Sequence, residues 1–129
     1  MGQYWRLIGQ YDAETQTYSA CAGTAQTSPY TPDEEATLIG IRTIVGQLAA
    51  TSLTTNGQIR ITCTTFKPNT IHVGYMGNGL RTVPAQAPAP IDWSVQQPVK
   101  AGVPITVEGR CIGASDVTNS IDIYGLFQS

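Results

Sequence analysis

Strict alternation of apolar and polar residues, repeated along most of the chain, constrains this sequence more than any other feature. Gln58-Ile59-Arg60-Ile61-Thr62-Cys63-Thr64 places Ile59, Ile61 and Cys63 on one side and Arg60, Thr62 and Thr64 on the other. A period of two is the signature of a strand with one buried face. Thr70 to Tyr75 repeats it with Ile71, Val73 and Tyr75 inward, and Pro104 to Cys111 with Ile105, Val107 and Cys111 inward. Ser120 to Phe127 buries Ile121, Ile123 and Phe127, which leaves Tyr124 and Leu126 facing outward. Ile91 to Gln97 is a further strand, with Ile91, Trp93 and Val95 inward.

The remaining segments are less regular. Pro32-Asp33-Glu34-Glu35 resembles a helix start, yet the residues that follow, among them Ile39, Ile41, Thr43, Ile44 and Val45, are β-branched and suit a strand. A strand over 37–47, preceded by an acidic loop, is the expectation. Residues 1–36 give two weaker strands, near 4–10 and 17–22, joined as a hairpin through Asp12 to Thr15. Asn56-Gly57 carries a hairpin signal. Lys67-Pro68-Asn69, Gly77-Asn78-Gly79, 100–104 and 116–119 read as turns. Pro84 to Pro90, with three prolines, reads as an extended crossing between sheets.

About eight or nine short strands with frequent turns predict an all-β fold, a two-sheet antiparallel β-sandwich, with eight strands the jelly-roll number. The 129 residues correspond to a single domain, 1–129. Charged residues make up only 12% of the chain and the net charge is -2, so the polar surface comes from Thr, Ser, Gln and Asn. A nearly neutral surface repels copies of itself weakly. Arg6, Arg42, Arg60, Arg81 and Arg110 are dispersed, so no direct nucleic-acid partner is expected. No apolar run reaches the ~20 residues of a membrane helix. Met1 to Arg6 lacks the pattern of a signal peptide, and Arg6 stands where myristoylation requires Ser or Thr.

Catalytic and metal chemistry need several titratable groups together, and the inventory is thin. The single histidine, His72, excludes a multi-histidine centre within one chain and reads as a surface residue. Asp92, Glu108, Asp116 and Asp122 are the acids a glycosidase pair would draw on. Glu108 and Asp122 alternate with buried residues and read instead as outward partners for Arg60 or Arg110. Asp116 with Asn119 makes a poor calcium cage. No serine sits in a nucleophile elbow, and Gly77-Asn78-Gly79 lacks the rest of a phosphate loop. The chain reads as a non-enzyme without a cofactor. The three cysteines allow at most one internal bridge. Cys63 and Cys111 are either small buried hydrophobes or a disulfide, the latter requiring a Cα separation of roughly 4.4–6.8 Å.

The aromatics are the other candidate tools. Trp5, Tyr11, Tyr18 and Tyr30 lie in the N-terminal third, and Tyr124 stands beside Leu126 on the last strand. An outward Tyr124–Leu126 pair implies a covering partner: a second subunit, a glycan, or the chain's own N-terminal arm. Trp5, Tyr30, Tyr124 and Leu126 are therefore the candidate contact residues.

The stretch Ile91-Asp92-Trp93-Ser94-Val95, then Pro98 to Val107 and the closing Ile121-Asp122-Ile123-Tyr124-Gly125-Leu126-Phe127, resembles the small single-jelly-roll structural proteins of viruses: coat, turret or spike, and decoration subunits. The resemblance covers roughly 37–127 and rests on pattern, without a diagnostic motif. It implies a self-assembling subunit of a virion or an extracellular filament, with copies of itself or other virion proteins as partners. The absence of a basic N-terminal arm points to an exterior role. A carbohydrate-binding sandwich module is the alternative.

Overall fold

The computed structural model describes residues 2–11, 15–23, 26–48, 54–78, 90–112 and 118–129. Eight strands run β1 (Gln3–Tyr11), β2 (Ser19–Ala20), β3 (Ala36–Leu48), β4 (Thr54–Thr62), β5 (Thr70–Asn78), β6 (Ile91–Val99), β7 (Thr106–Cys111) and β8 (Thr118–Gln128). They form two antiparallel four-stranded sheets, one ordered β1-β8-β3-β6 and the other β2-β7-β4-β5. The neighbours β1·β8, β2·β7, β3·β6 and β4·β5 are the rungs of one long hairpin, and rolling it brings β8 onto β3 and β7 onto β4. That is the jelly roll expected from the strand count.

The alternating side chains meet between the sheets. Ile41, Ile121 and Ile123 from the first sheet and Ile59, Ile61 and Val107 from the second are completely buried. Each such side chain contributes on the order of 1.5–3 kcal/mol by leaving water. Phe66, in the β4–β5 connection, and Phe127, at the end of β8, close the interior. Thr43 is the one buried polar side chain among the described residues. Its hydroxyl donates to the Gly74 carbonyl at 2.8 Å and so ties β3 to β5 across the sheets.

Several expectations are corrected. β1 and β2 form no hairpin, because β1 pairs with β8 and β2 with β7, in different sheets. Asn56-Gly57 is no turn: Asn56 pairs with Met76 and Gly57 with Tyr75 inside the β4–β5 ladder. Gly57 is required there by space, since a Cβ would stand 1.9 Å from Tyr75 Cζ. Gly77 and Asn78 end β5 rather than forming a loop apex. Trp93 is not buried; it remains 36% exposed. It pairs with the buried Ile41 but sits on the sheet's edge strand β6, and its ring reaches to 3.8 Å from where a Gly74 Cβ would be. Residues 32–35 are a loop and 100–102 a turn, both as expected, with Gly102 at φ +80°. β5 and β6 lie in different sheets; the Pro84–Pro90 crossing expected between them falls, but for Pro90, outside the described residues, as does Asp116 of the calcium reading.

The Cys63–Cys111 bridge is corrected as well. Both thiols are free and buried, as is Cys21. Cys111 pairs with Gly57 at one end of the β4–β7 ladder, while Cys63 follows Thr62 at the other. Six residues at about 3.3 Å each separate the two by about 20 Å, far beyond disulfide reach. The reading of small buried hydrophobes is the one the fold uses.

Candidate functional site

The outward positions of the first sheet come from β1, β8 and β3. Cross-strand register sets Trp5 beside Leu126, and Leu126 beside Gly40, in one row; Leu7, Tyr124, Arg42 and Asp92 follow in the next. Ile44 lies one step further along β3, opposite Asp122. This parity is not continuous along β3. Its register with both neighbours shifts between Leu38 and Gly40, so Leu38 and Ile41 both face the core and Arg42 faces out. Such a bulge re-aims the side chains beyond it.

Gly40 lets Leu126 lie flat: a Cβ there would stand 3.3 Å from Leu126 Cβ. Trp5 is 37% exposed. The Arg42 guanidinium stacks over the Trp5 ring, 4.4 Å from its centroid. From there it reaches Asp92 in a two-pronged pair, Nε to Oδ1 at 2.6 Å and Nη2 to Oδ2 at 2.9 Å. These hydrogen bonds hold the Asp92 carboxyl below its ordinary range and raise Arg42. Both groups are well exposed, so solvent screens the pair and its stabilising effect is small. Trp5, Arg42, Ile44 and Tyr124 line an open depression of about 240 Å³. Asp122, at the margin, accepts from Gln10 Nε2 at 3.0 Å. The charges on this face are thus mostly spent on neighbours, and the paired Arg42 lies among its aromatic and aliphatic side chains.

The outward face of the second sheet is chemically different. Arg60 Nε donates to Glu108 Oε1 at 2.9 Å, the cross-strand ion pair expected from alternation. Arg110 Nε donates to Gln58 Oε1 at 2.9 Å, and Arg110 Nη2 donates to the same oxygen. Both guanidiniums stand over the Tyr18 ring, Arg60 at 4.1 Å and Arg110 at 4.7 Å from its centroid. His72 is exposed and pairs with Arg60 in register. Thr62 and Thr70 exchange a hydroxyl contact at 3.3 Å.

Of the sequence candidates, Trp5, Tyr124 and Leu126 converge on the first face. Tyr30 does not join them. Its ring lies 6.1 Å from that of Phe127, on the inward side of the same sheet. Tyr11 belongs to the core. Arg42, Asp92 and Ile44 were not tied to this face by sequence reasoning, because nothing local announces that β3 lies between β8 and β6. No protein-family model matches the chain, and no curated protein matches it.

Proposed function

We propose that this chain is a self-assembling structural subunit, of a virion shell or surface or of an extracellular filament, and that the outer face of β1, β8 and β3 is a contact surface between copies. The carrying observation is the difference between the two outer faces. One is a lattice of Arg, Glu, Gln and Thr around the Tyr18 ring; the other sets Trp5, Leu7, Tyr124, Leu126 and Ile44 around the single Arg42–Asp92 pair. An antiparallel sheet facing water alternates to polar on that side, and a contiguous apolar outer face marks an interaction site. Stacked and paired with its neighbours, Arg42 adds little repulsion between copies. The jelly roll is used by viral capsid proteins and by lectins, so the fold suits this reading without selecting it.

The test is absolute mass by light scattering across a concentration series. Growth from 13.8 kDa to a discrete oligomer or polymer, weakened by Leu126→Gln with the fold intact by circular dichroism, is the expected result. A monomer at every concentration argues against assembly.

The depression between Trp5 and Tyr124 favours one second reading, carbohydrate binding. A ring face beside a planar Arg–Asp pair matches a sugar's apolar face and its hydroxyls. A glycan-array signal lost in Trp5→Ala, from a protein that stays monomeric, would transfer the assignment.

A further inference from the structure

The second sheet's outer face carries a charge arrangement that one molecule leaves incomplete. Tyr18 draws Arg60 and Arg110 onto one ring, at 4.1 Å and 4.7 Å, which sets two like charges near each other. Glu108 answers Arg60. Arg110 makes no ion pair among the described residues; its fork is turned on the neutral Gln58 oxygen. The Arg60 Nη groups likewise have no acceptor among the described residues, since only Nε reaches Glu108. The cluster of Arg60, Arg110 and Glu108 therefore holds net positive charge within a chain of net charge -2.

The complementary charge lies elsewhere on the same molecule. Asp33, Glu34 and Glu35 are exposed in the segment before β3. Glu34 accepts from the Tyr4 hydroxyl at 2.5 Å, whereas Asp33 and Glu35 make no hydrogen bond or ion pair among the described residues. Arg6, over the Tyr4 ring at 4.6 Å, and Lys100, next to the turn whose Gly102 N–H donates to Pro32 O at 2.9 Å, are the cations on adjoining elements. The three carboxylates outnumber them. The acidic segment leads into the first sheet, and the cationic cluster sits on the outer face of the second.

Resting on the assembly reading, we propose that the Tyr18–Arg60–Arg110 cluster receives the Asp33–Glu35 segment of a second copy. Such a contact joins two different patches. Made head to tail it builds rings or filaments, and made reciprocally about a twofold axis it closes a dimer. Opposite charges across it favour encounter and fix orientation, and like charges suppress it.

The experiment is sedimentation at low and moderate salt of the wild type, of Arg110→Glu, and of the double variant Asp33→Lys/Glu35→Lys. Asp33 and Glu35 are exposed and Arg110 is half-buried, and circular dichroism checks that each variant is folded before it is compared. Each variant alone is expected to associate about tenfold more weakly or worse. An equimolar mixture of the two should recover association, because the acidic segment of one then meets the intact arginines of the other. Wild-type association that neither variant changes overturns this contact and leaves the assembly reading standing. Wild type that stays monomeric overturns both. Capture of tri-galacturonate by the cluster, with association unaffected by the variants, would reassign the arginines to an acidic saccharide and overturn the proposal.

Discussion

A ring in one strand decides the residue at position 57 in the next. With Tyr75 Oη and Cε2 both 2.1 Å from the site of a Gly57 Cβ, Gly57→Ala forces the ring or the strand to move. It should cost about 1–3 kcal/mol, the usual range for overpacking, read as a lower urea midpoint at unchanged slope. An unchanged midpoint would show that Tyr75 swings aside freely. The Asn56-Gly57 pair also shows where local reading stops. The dipeptide is a turn signal by backbone preference alone, and the opposing fact is the bulk of a residue on the paired strand. Cysteines were more legible. Alternation placed Cys63 and Cys111 inward, and burial is what they show. Burial above all, with the charge of Glu108, pushes the Cys21 thiol up to about 12. Reactivity follows the thiolate, so native protein in iodoacetamide at pH 8 should keep Cys21 unmodified by mass spectrometry, and denatured protein should not. Equal labelling in both states would contradict the buried placement.

At the scale of elements, β1 is held by more than its ladder to β8. Tyr4 stacks on Phe127 at 5.7 Å between centroids and donates to Glu34. Desolvation first, then the bond to Glu34, raises the Tyr4 phenol from 10.0 to about 12. Burial also raises Tyr11 and Tyr30. A phenol whose pKa is raised on folding stabilises the fold fully below its unfolded value, and that contribution disappears as pH climbs through the folded value. Stability to urea should therefore hold up to about pH 10 and decline between about 10 and 12, with a shallower decline in Tyr4→Phe. A decline beginning well below pH 9 would assign alkaline sensitivity to other groups. Strand existence was readable from period two, and so was the inward direction of Ile121, Ile123 and Val107. Strand neighbours were not. Trp93 points as its alternation requires and still meets water, because only the strand order puts β6 at an edge. For the same reason the Arg42–Asp92 pair, which joins β3 to β6, had no local signal.

At the scale of the molecule, the eight-strand sandwich was legible from strand number and turn spacing, while the gathering of Trp5, Leu7, Tyr124, Leu126 and Ile44 on one outer face was not. That gathering needs the register of β1, β8 and β3 together, and each register is a long-range pairing. If copies assemble, dependence on Leu126 and on concentration reports the face of β1, β8 and β3, and dependence on salt reports the arginine cluster of the other sheet. The rolled hairpin has a mechanical consequence too. Gln3 pairs with Gln128, and Ser129 N–H donates to Gly2 O at 3.1 Å, so the first and last described residues meet at one corner. A pull applied between residues 2 and 129 acts across the β1–β8 ladder rather than along it, and loads its hydrogen bonds one after another. Force spectroscopy with handles at those two positions should find β1 peeling from β8 at lower force than handles that shear the same strands lengthwise. Tension that enters through other parts of the sandwich bypasses this corner, so the β1–β8 ladder is weak toward one direction of pull and strong toward the other.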